Sequence, residues 1–423
     1  MILRQWLVPV LCCGWAAIAT VCAADPPPPN PSAPVDYVKW INEEFGKGAA
    51  PATAEKYAAA IQSYRRDGQR FELTTQSAMK LGSEERQRKT QEWIDHSREA
   101  IDALITAGRA DKVYFPWKSE TGSLLDAETP DFSTPRRICT AVLARGRRKA
   151  ADGAVAEGFE DAFAVLRTAR QITEQPGMNA YVFGLGTGSL AYLDMLGIIS
   201  TSGAKLDAAA ILKGLNTADR PITPPRRAIL GEKALFYDVL QRCCKDANGD
   251  GKLDSVTVPE GTPAKLDPPV TAAQAARTFN EVCDALLGLD QFRSAAARTA
   301  ASAAHDKLRT LGELEQANRD LWGGEGMRRT YEALQNGTRA VLYLHIYKAA
   351  NGKWPETLKD AMTGAPATQR WDPFSDGELV YKLQGGEPLL YSVGRDNKDD
   401  GGKRVESARM GEQGDLVFWP FQK

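Results

Sequence analysis

A long alanine-rich stretch over residues 35–311 limits the fold more than any other feature of this chain. Its apolar residues recur at helical spacing, and Phe159, Phe163 and Leu166 are three that share one helix face. The run over 181–199 is apolar on nearly all sides, which is typical of a helix at the centre of a core. The chain is therefore predicted to be mainly α-helical.

Breaks divide this stretch into separate helices. Thr134 is a predicted N-cap with Pro135 at the first helical position, and Gly153 ends the helix that they open. Successive helices of this length predict an antiparallel array of the tetratricopeptide type over residues 35–337, although no strict sequence period repeats.

The C-terminal residues change from helical to strand-like patterns. Apolar and aromatic runs over 379–383, 388–393 and 416–419 predict short strands. Gly385 and Gly386 lie between the first two runs and predict a hairpin turn. We therefore expect a small α+β module over residues 338–423.

The first 24 residues have the order of a secretory signal peptide. Arg4 is the only charge before an apolar run, and small residues lead to a predicted cleavage after Ala24. The alternatives are lipid modification at Cys22 or a retained anchor, but the run is shorter than the roughly 20 residues of a spanning helix. A proline-rich spacer over 25–34 follows, and no later segment is predicted to cross a membrane. The protein is thus expected to be exported, to the periplasm or the medium.

Charge and cysteine content exclude some classes of protein. The chain has 53 basic and 54 acidic residues, and this near-neutral balance argues against nucleic-acid binding. It contains no Cys-x-x-Cys pair, so neither a redox motif nor a zinc knuckle is predicted. An exported protein can form disulfides. A bond from Cys283 to Cys243 or Cys244 is one expectation, while the pairing of Cys139 and the oligomeric state stay open.

The segment over 391–415 is a predicted strand that runs into a turn rich in aspartate and glycine. Packing does not explain so many neighbouring carboxylates, because buried carboxylates need partners and exposed like charges repel. A Ca²⁺ ion binds several oxygen ligands and would resolve this conflict. The alternative is a solvated acidic turn. The predicted ligands are Asp396, Asp399, Asp400 and Asp415.

A second acidic loop lies within residues 245–269 and interrupts the helices. It begins with the letters D-A-N-G-D-G, the start of an EF-hand-type calcium loop. Thr257 replaces the bidentate acid that closes such a loop, so Glu260 or another segment would have to complete the site. The alternative is a plain Asx-rich turn. The predicted ligands of a structural Ca²⁺ are Asp246, Asn248, Asp250 and Asp254.

Four short motifs, at 341–347, 351–358, 372–374 and 391–396, together resemble the globular head of type II secretion pseudopilins. The resemblance implies a spine helix, two turns and a Ca²⁺-binding strand-loop, with Asp396, Asp399 and Asp400 as the first candidates for ligands. The glutamate-bearing apolar helix of a pilin is absent, so polymerisation as a pilin subunit is not expected. The helical part resembles uncharacterised exported bacterial proteins that carry the same module, which implies an architecture but no activity.

Other motifs have structural interpretations. The glycine-rich residues 184–188 lack the Lys-Ser/Thr pair of a phosphate loop and are interpreted as close helix packing. His96, His305 and His345 are too few and too scattered for a histidine-rich metal site. His345 is interpreted as a hydrogen-bonded core residue, and His96 cannot form a triad with the adjacent Asp95.

The sequence contains no recognised catalytic apparatus, and whether the protein is an enzyme stays open. The expected function is binding or scaffolding in the cell envelope, with an unidentified protein partner. The alternatives are a hydrolase with unrecognised acids in a helical groove and a peripheral component of a secretion system. The tryptophans that could line such a groove, although each is first expected to be structural, are Trp93, Trp117, Trp354 and Trp371.

Overall fold

The structure is a computed structural model that describes residues 24–30, 32–74, 82–219, 225–257, 264–291, 295–309, 311, 314, 320–404 and 414–421. The predicted signal peptide lies outside these residues except for Ala24. The described part of the proline-rich spacer forms no helix or strand. It packs on the fold, because the Pro27 carbonyl accepts a hydrogen bond from the Tyr37 hydroxyl at 2.8 Å and the Asn30 amide donates to Gln241 at 3.3 Å.

The fold is mainly helical, as the sequence predicts. The N-terminal helices are α1 (Tyr37–Gly46), α2 (Pro51–Ser63), α3 (Ser83–His96), α4 (Arg98–Gly108), α5 (Ser133–Ala151), α6 (Val155–Thr173) and α7 (Met178–Ser202). They are followed by α8 (Ala208–Ala218), α9 (Arg226–Arg242), α10 (Ala272–Gln291), α11 (Ala295–Leu308), α12 (Asp320–Asn351) and the short α13 (Leu358–Ala361).

Helix α7 is at the centre of the helical part. Helices α5, α6, α9 and α12 all pack against it, and its Tyr181 and Tyr192 are almost fully buried. By length and composition α7 could cross a membrane, which differs from the expectation that no segment after the leader could. Most of its apolar surface is covered by the neighbouring helices, which accounts for a run that is apolar on nearly all sides.

Two glycines of the 184–188 segment allow the close packing of α7. A Cβ atom at Gly184 would lie 2.6 Å from the Ala169 carbonyl oxygen of α6, and one at Gly188 would overlap the Tyr331 ring of α12. The predicted packing role is therefore confirmed at these two positions. Gly186 contacts neither helix and has only the Arg136 guanidinium nearby.

The start of α5 differs from the prediction by two residues. The helix begins at Ser133, so Thr134 and Pro135 lie inside its first turn. The oxygens of Asp131 accept hydrogen bonds from the Ser133 and Thr134 amides at 2.9 and 3.1 Å, which is the task of an N-terminal cap. The end was predicted correctly, because α5 stops at Ala151 and Gly153 follows with a positive φ of 98°.

The segment predicted as an acidic loop over 245–269 contains a small sheet. Strands β1 (Cys244–Lys245), β2 (Leu253–Val256) and β3 (Ala264–Val270) pair in antiparallel order. The acidic residues form the turn between β1 and β2, and Leu253, Val256 and Leu266 are buried. A loop prediction missed these strands because β1 and β2 have only two and four residues and β3 contains two prolines.

The C-terminal sheet has the three predicted strands, β4 (Val380–Gln384), β5 (Glu387–Ser392) and β6 (Leu416–Trp419), in the order β4-β5-β6. Gly385 and Gly386 form the predicted two-residue hairpin turn, and both have positive φ. One face of the sheet packs on α12, where the Phe418 ring lies directly against Gly337. The opposite face carries a second apolar cluster of Leu389, Tyr391 and Val417.

Helix α12 belongs to both parts of the molecule. Its Tyr331, Gln335 and Arg339 contact α7 or the end of α8. On another face, Asn336 donates to the Trp371 carbonyl at 3.0 Å and Gly337 contacts the sheet. The helix is continuous from Asp320, so the predicted module boundary at residue 338 falls inside it.

The four cysteines that the structure describes are free thiols, so the expected disulfide from Cys283 is not formed; they are Cys139, Cys243, Cys244 and Cys283. Burial raises the pKa of the Cys283 and Cys244 thiols to about 12. The Cys283 thiol lies near the charges of Lys233 and Asp284. Cys244 lies instead in β1, where it pairs with Val256.

Candidate metal centre

The C-terminal acidic loop lies on the outer face of the β4–β6 sheet. Asp399 Oδ1 accepts a hydrogen bond from the Tyr391 hydroxyl at 2.7 Å. A Cβ atom at Gly402 would lie 2.8 Å from Leu389, so the backbone of the loop runs directly over that side chain. The loop therefore covers the apolar cluster of Leu389, Tyr391 and Val417.

Asp415 joins the two ends of this loop. It is 3% exposed, and its carboxylate accepts hydrogen bonds from the Gly402 amide at 2.6 Å and the Asp400 amide at 3.3 Å. Asp396 makes the reciprocal contact, accepting from the Gly414 amide at 3.3 Å. The structure thus brings the four predicted ligands of this loop into one region.

Several negative charges lie close together around Asp415. Burial raises the pKa of Asp415, and the negative charges of Asp399 and Asp400 raise it further. The hydrogen bond from Tyr391 lowers the pKa of Asp399, as do the Gly401 amide and the charge of Lys382. A buried carboxyl that faces two others is the arrangement that a cation would relieve.

Lys382 is a protein cation beside the acidic loop. Its Nζ donates a hydrogen bond to the Tyr391 hydroxyl at 2.8 Å, and that hydroxyl donates to Asp399. These contacts, together with the charges of Asp399 and Asp415, raise the pKa of Lys382. Sequence reasoning missed Lys382 and the Tyr391 hydroxyl, although their alternation on β4 and β5 places both on the outer face.

Two further contacts fix the base of the loop. Arg395, which follows Val393 and Gly394, donates from Nε to the Thr330 hydroxyl of α12 at 3.1 Å. Asp372 is buried and accepts from the Ser392 hydroxyl at 2.7 Å and the Val393 amide at 2.9 Å. The Asp-Pro-Phe turn therefore anchors the end of β5, and the loop starts from a fixed point.

The second acidic loop is closed on itself. Asp246 accepts hydrogen bonds from the Gly249 and Gly251 amides at 2.6 and 2.8 Å, and Asp254 accepts from the Asn248 side chain at 3.0 Å. Asp250 is exposed and accepts a hydrogen bond from the Lys252 amide at 2.9 Å.

The closing ligand of this second loop is not supplied by Thr257. The Thr257 amide donates to the Cys243 carbonyl at 3.0 Å, which continues the pairing of β1 with β2. Glu260, the other predicted source, lies outside the described residues. Among the described residues, this loop therefore lacks the closing acid of an EF-hand-type ligand set.

Neither loop is arranged as a ready cage for a metal ion. Among the residues that the structure describes, no three His, Cys, Asp or Glu side chains converge in the way that a metal ion requires. The carboxylates instead accept hydrogen bonds from backbone amides. Ca²⁺ binding would exchange some of these amide contacts for metal–oxygen bonds.

The described histidines have structural surroundings. His96 stacks on the Phe71 ring with centroids 3.6 Å apart, and Asp95 pairs with Arg98 at 3.2 Å, so no triad forms. His345 packs against two tryptophan rings, and burial lowers its pKa to about 4. The residue is half-buried, and its Nε2 is buried without a hydrogen-bond partner, so the predicted hydrogen bond is wrong. The His305 side chain lies outside the described part.

The four tryptophans are dispersed. Trp354 packs the turn after α12, as predicted, and its indole donates to Glu387 at 3.0 Å. Trp93 is buried, and Trp371 is 42% exposed on the C-terminal module. Trp117 borders a surface groove beside α1. They therefore do not share one binding groove.

A comparison of the chain with protein-family models, curated proteins and solved structures found no match. The class of the protein is therefore defined by its own fold: a mainly helical chain with two small antiparallel sheets and an acidic loop that covers the C-terminal one.

Proposed function

We propose that this is an exported, non-enzymatic scaffolding or binding protein of the cell envelope, in which Ca²⁺ stabilises the C-terminal module. In this proposal the helices over 35–337 are a tetratricopeptide-like array that presents the partner surface. Residues 338–423 are a pseudopilin-like α+β module whose spine is the second half of α12.

One observation carries the proposal. Asp415 is buried under a glycine-rich loop and faces Asp399 and Asp400, and this loop seals the apolar outer face of the sheet. A cation bound there would remove the repulsion between the carboxylates and hold the loop on the sheet. The second loop, with Asp246, Asn248, Asp250 and Asp254, would be a weaker site because its closing acid is missing.

Conformational rigidity is the expected benefit of such a cation. Arg395 connects the start of the loop to Thr330, and α12 connects the module to α7. A loop that is fixed by Ca²⁺ would therefore fix the module on the helical array. This suits a protein that holds partners at a set geometry outside the cell, where Ca²⁺ is abundant.

Thermal unfolding of the chain from residue 25 onward, with Ca²⁺ and with a chelator, tests the proposal. A ligand at one hundred times its dissociation constant adds about 2.7 kcal/mol to the free energy of unfolding. We expect a clear rise in melting temperature with Ca²⁺ that Mg²⁺ does not reproduce. Asp396→Asn combined with Asp399→Asn should abolish most of it, and Asp246→Asn with Asp250→Asn should abolish little. An unchanged melting temperature in the wild type would contradict the proposed metal site.

The hydrolase alternative has one concrete location. A groove of about 750 Å³ beside α1 is bordered by Asp36, Glu43, Glu120 and Trp117. Asp36 already caps α1 by accepting from the Lys39 amide at 2.8 Å, and Glu43 lies 3.8 Å from the Lys39 ammonium. An enzyme of this kind would lose its activity in Glu43→Gln and Glu120→Gln, and hydrolysis assays with these variants separate it from the scaffold.

A further inference from the structure

Three arginines gather where the end of α4 meets α6. Arg109 follows the last residue of α4, and Arg167 and Arg170 lie on α6. Residues three apart on a helix are neighbours on one face, with Cβ atoms roughly 5–6 Å apart, so Arg167 and Arg170 project side by side.

Tight contacts bring Arg109 to the same place. A Cβ atom at Gly108 would lie 3.1 Å from the Thr168 hydroxyl, so the end of α4 touches α6 one residue after Arg167. The Gln171 side chain donates to the Ala110 carbonyl at 2.5 Å. Arg109 thus lies between Gly108 and Ala110, which both contact α6.

Two of these guanidinium groups lack an acidic partner. Within the part of the chain that the structure describes, neither Arg109 nor Arg167 makes an ion pair. Arg170 pairs loosely with Glu174 at 3.9 Å, and the Nε atoms of Arg167 and Arg170 are buried without a hydrogen-bond partner. Unsatisfied charged donors of this kind are costly and call for an explanation.

Charges of both signs act on Arg167. Burial lowers its pKa, Glu160 raises it from beyond ion-pair distance, and the neighbouring Arg109 and Arg170 lower it. Arg227 extends the positive region, since its Nε donates to the Glu174 carbonyl at 2.6 Å. Like charges held together by rigid helices favour binding of an anion.

We infer that Arg109, Arg167 and Arg170 form a binding site for a phosphate group. The planar guanidinium matches the oxygens of phosphate with paired N–H donors, and three of them can surround one tetrahedral anion. Arg109 is exposed and Arg167 is half-buried, so the site opens to solvent. The phosphate can belong to a small soluble molecule or to a phospholipid headgroup. This inference does not depend on the proposed Ca²⁺ site, which lies in the C-terminal module.

Calorimetric titration of inorganic phosphate into the chain from residue 25 onward, at constant ionic strength, tests the site. We expect saturable binding that weakens by about tenfold or more, equivalent to 1.4 kcal/mol or more, in Arg109→Gln and in Arg167→Gln. Arg277→Gln is the matched control, because Arg277 is an exposed arginine on α10 without an ion pair among the described residues. This control should bind phosphate like the wild type.

Stability gives a second readout. In phosphate-free buffer Arg167→Gln should melt at or above the wild-type temperature, because the change removes repulsion between cations. The inference is overturned if the wild type shows no saturable binding, or if Arg277→Gln weakens binding as much as Arg109→Gln does. It is also overturned if Arg167→Gln lowers the melting temperature while Arg109→Gln leaves binding unchanged. Should Arg167→Gln fail to fold, Arg109→Gln decides the question alone.

Vesicles separate the two sources of phosphate. Flotation with phosphatidylglycerol vesicles that Arg109→Gln abolishes, and that free phosphate competes away, assigns the site to a lipid headgroup. Binding of free phosphate without flotation assigns it to a soluble ligand.

Discussion

The two acidic loops have similar composition but different surroundings. The loop over 246–254 makes its hydrogen bonds within itself and stays exposed. The described residues of the C-terminal loop, 396–404 and 414–415, lie on a sheet, where Asp415 is buried and Asp399 accepts a hydrogen bond from Tyr391 on β5. The first has the better match to a known calcium motif, and the second has the better physical reason to bind a cation.

This contrast shows that a motif and a site are different things. Alternating oxygen-bearing residues specify a turn that can close around an ion, and local hydrogen bonds are enough to form such a turn without one. A carboxylate becomes costly only when tertiary structure buries it near other carboxylates. The following variants test this difference, from the largest expected effect to the smallest.

Gly402 and Gly251 are a matched pair of glycines with positive φ, 86° and 84°. Gly251→Ala places its Cβ in open space, so we expect only the backbone cost of about 1 kcal/mol. Gly402→Ala adds a clash with Leu389, and we expect a total loss of about 3 kcal/mol. Urea unfolding of both variants measures the difference. Equal losses would mean that the C-terminal loop does not rest on the sheet.

The effect of Asp415→Asn on stability should depend on whether Ca²⁺ is present. In chelator the variant should be as stable as the wild type or slightly more stable, because it removes a buried charge that faces two others. At a Ca²⁺ concentration one hundred times the dissociation constant, the wild type should gain about 2.7 kcal/mol and the variant far less. Melting curves in both buffers check this, with Asp254→Asn in the other loop as the control. A variant that gains as much as the wild type would remove Asp415 from the site.

Tyr391→Phe should loosen the loop without affecting the sheet. The hydroxyl donates to Asp399 at 2.7 Å and accepts from Lys382 at 2.8 Å, and its loss should cost about 1 kcal/mol. Hydrogen exchange should become faster at the Gly401 amide, which also donates to Asp399. Tyr381→Phe is the control, since that hydroxyl donates to the Pro355 carbonyl away from the loop. Unchanged exchange at Gly401 in Tyr391→Phe would show that the Tyr391 hydroxyl does not hold the loop on the sheet.

The smallest expected effect is on the pH dependence of stability. The pKa of Asp415 is higher in the folded protein than its ordinary value of 3.8, so its ionised form opposes folding. This opposition is complete above the folded pKa and fades as the pH falls toward 3.8.

Wild type without Ca²⁺ should therefore gain stability relative to Asp415→Asn, by about 1 kcal/mol or less, as the pH falls from neutral toward 4. Asp399 has a lowered pKa, so its stabilising effect is lost only at lower pH, as the pH falls through its folded pKa. Urea unfolding of the two proteins across this range gives the difference. A stability difference that does not change with pH would show that the ionised form of Asp415 does not oppose folding.

Much of the fold could be predicted from local patterns. The helices, the three C-terminal strands and the turn at Gly385 and Gly386 follow from periodicity and backbone preference. The start of α5 was predicted two residues too late, because Asp131, Ser133 and Thr134 can all cap a helix. The sheet formed by β1, β2 and β3 was missed because β1 and β2 are too short to show alternation and β3 carries prolines, which argue against a strand.

The candidate site could be predicted only in part. The aspartates of both loops stand out in the sequence, and their chemistry suggests Ca²⁺. The contacts of Lys382, Tyr391 and Arg395 could not be read from it, because each partner is distant in the chain or on another element. The arginine site was missed for the same reason, since Arg109 lies 58 positions before Arg167 in the printed sequence and on a different helix.

The sequence by itself determined which segments become helices, strands and acidic turns, because these depend on interactions between residues close in the chain. Only the tertiary structure decided that α12 contacts both the helical part and the C-terminal sheet, that one acidic loop covers a sheet while the other is exposed, and that three arginines from two segments lie close together. Burial and the distance between charges set these outcomes, and both depend on how distant segments pack.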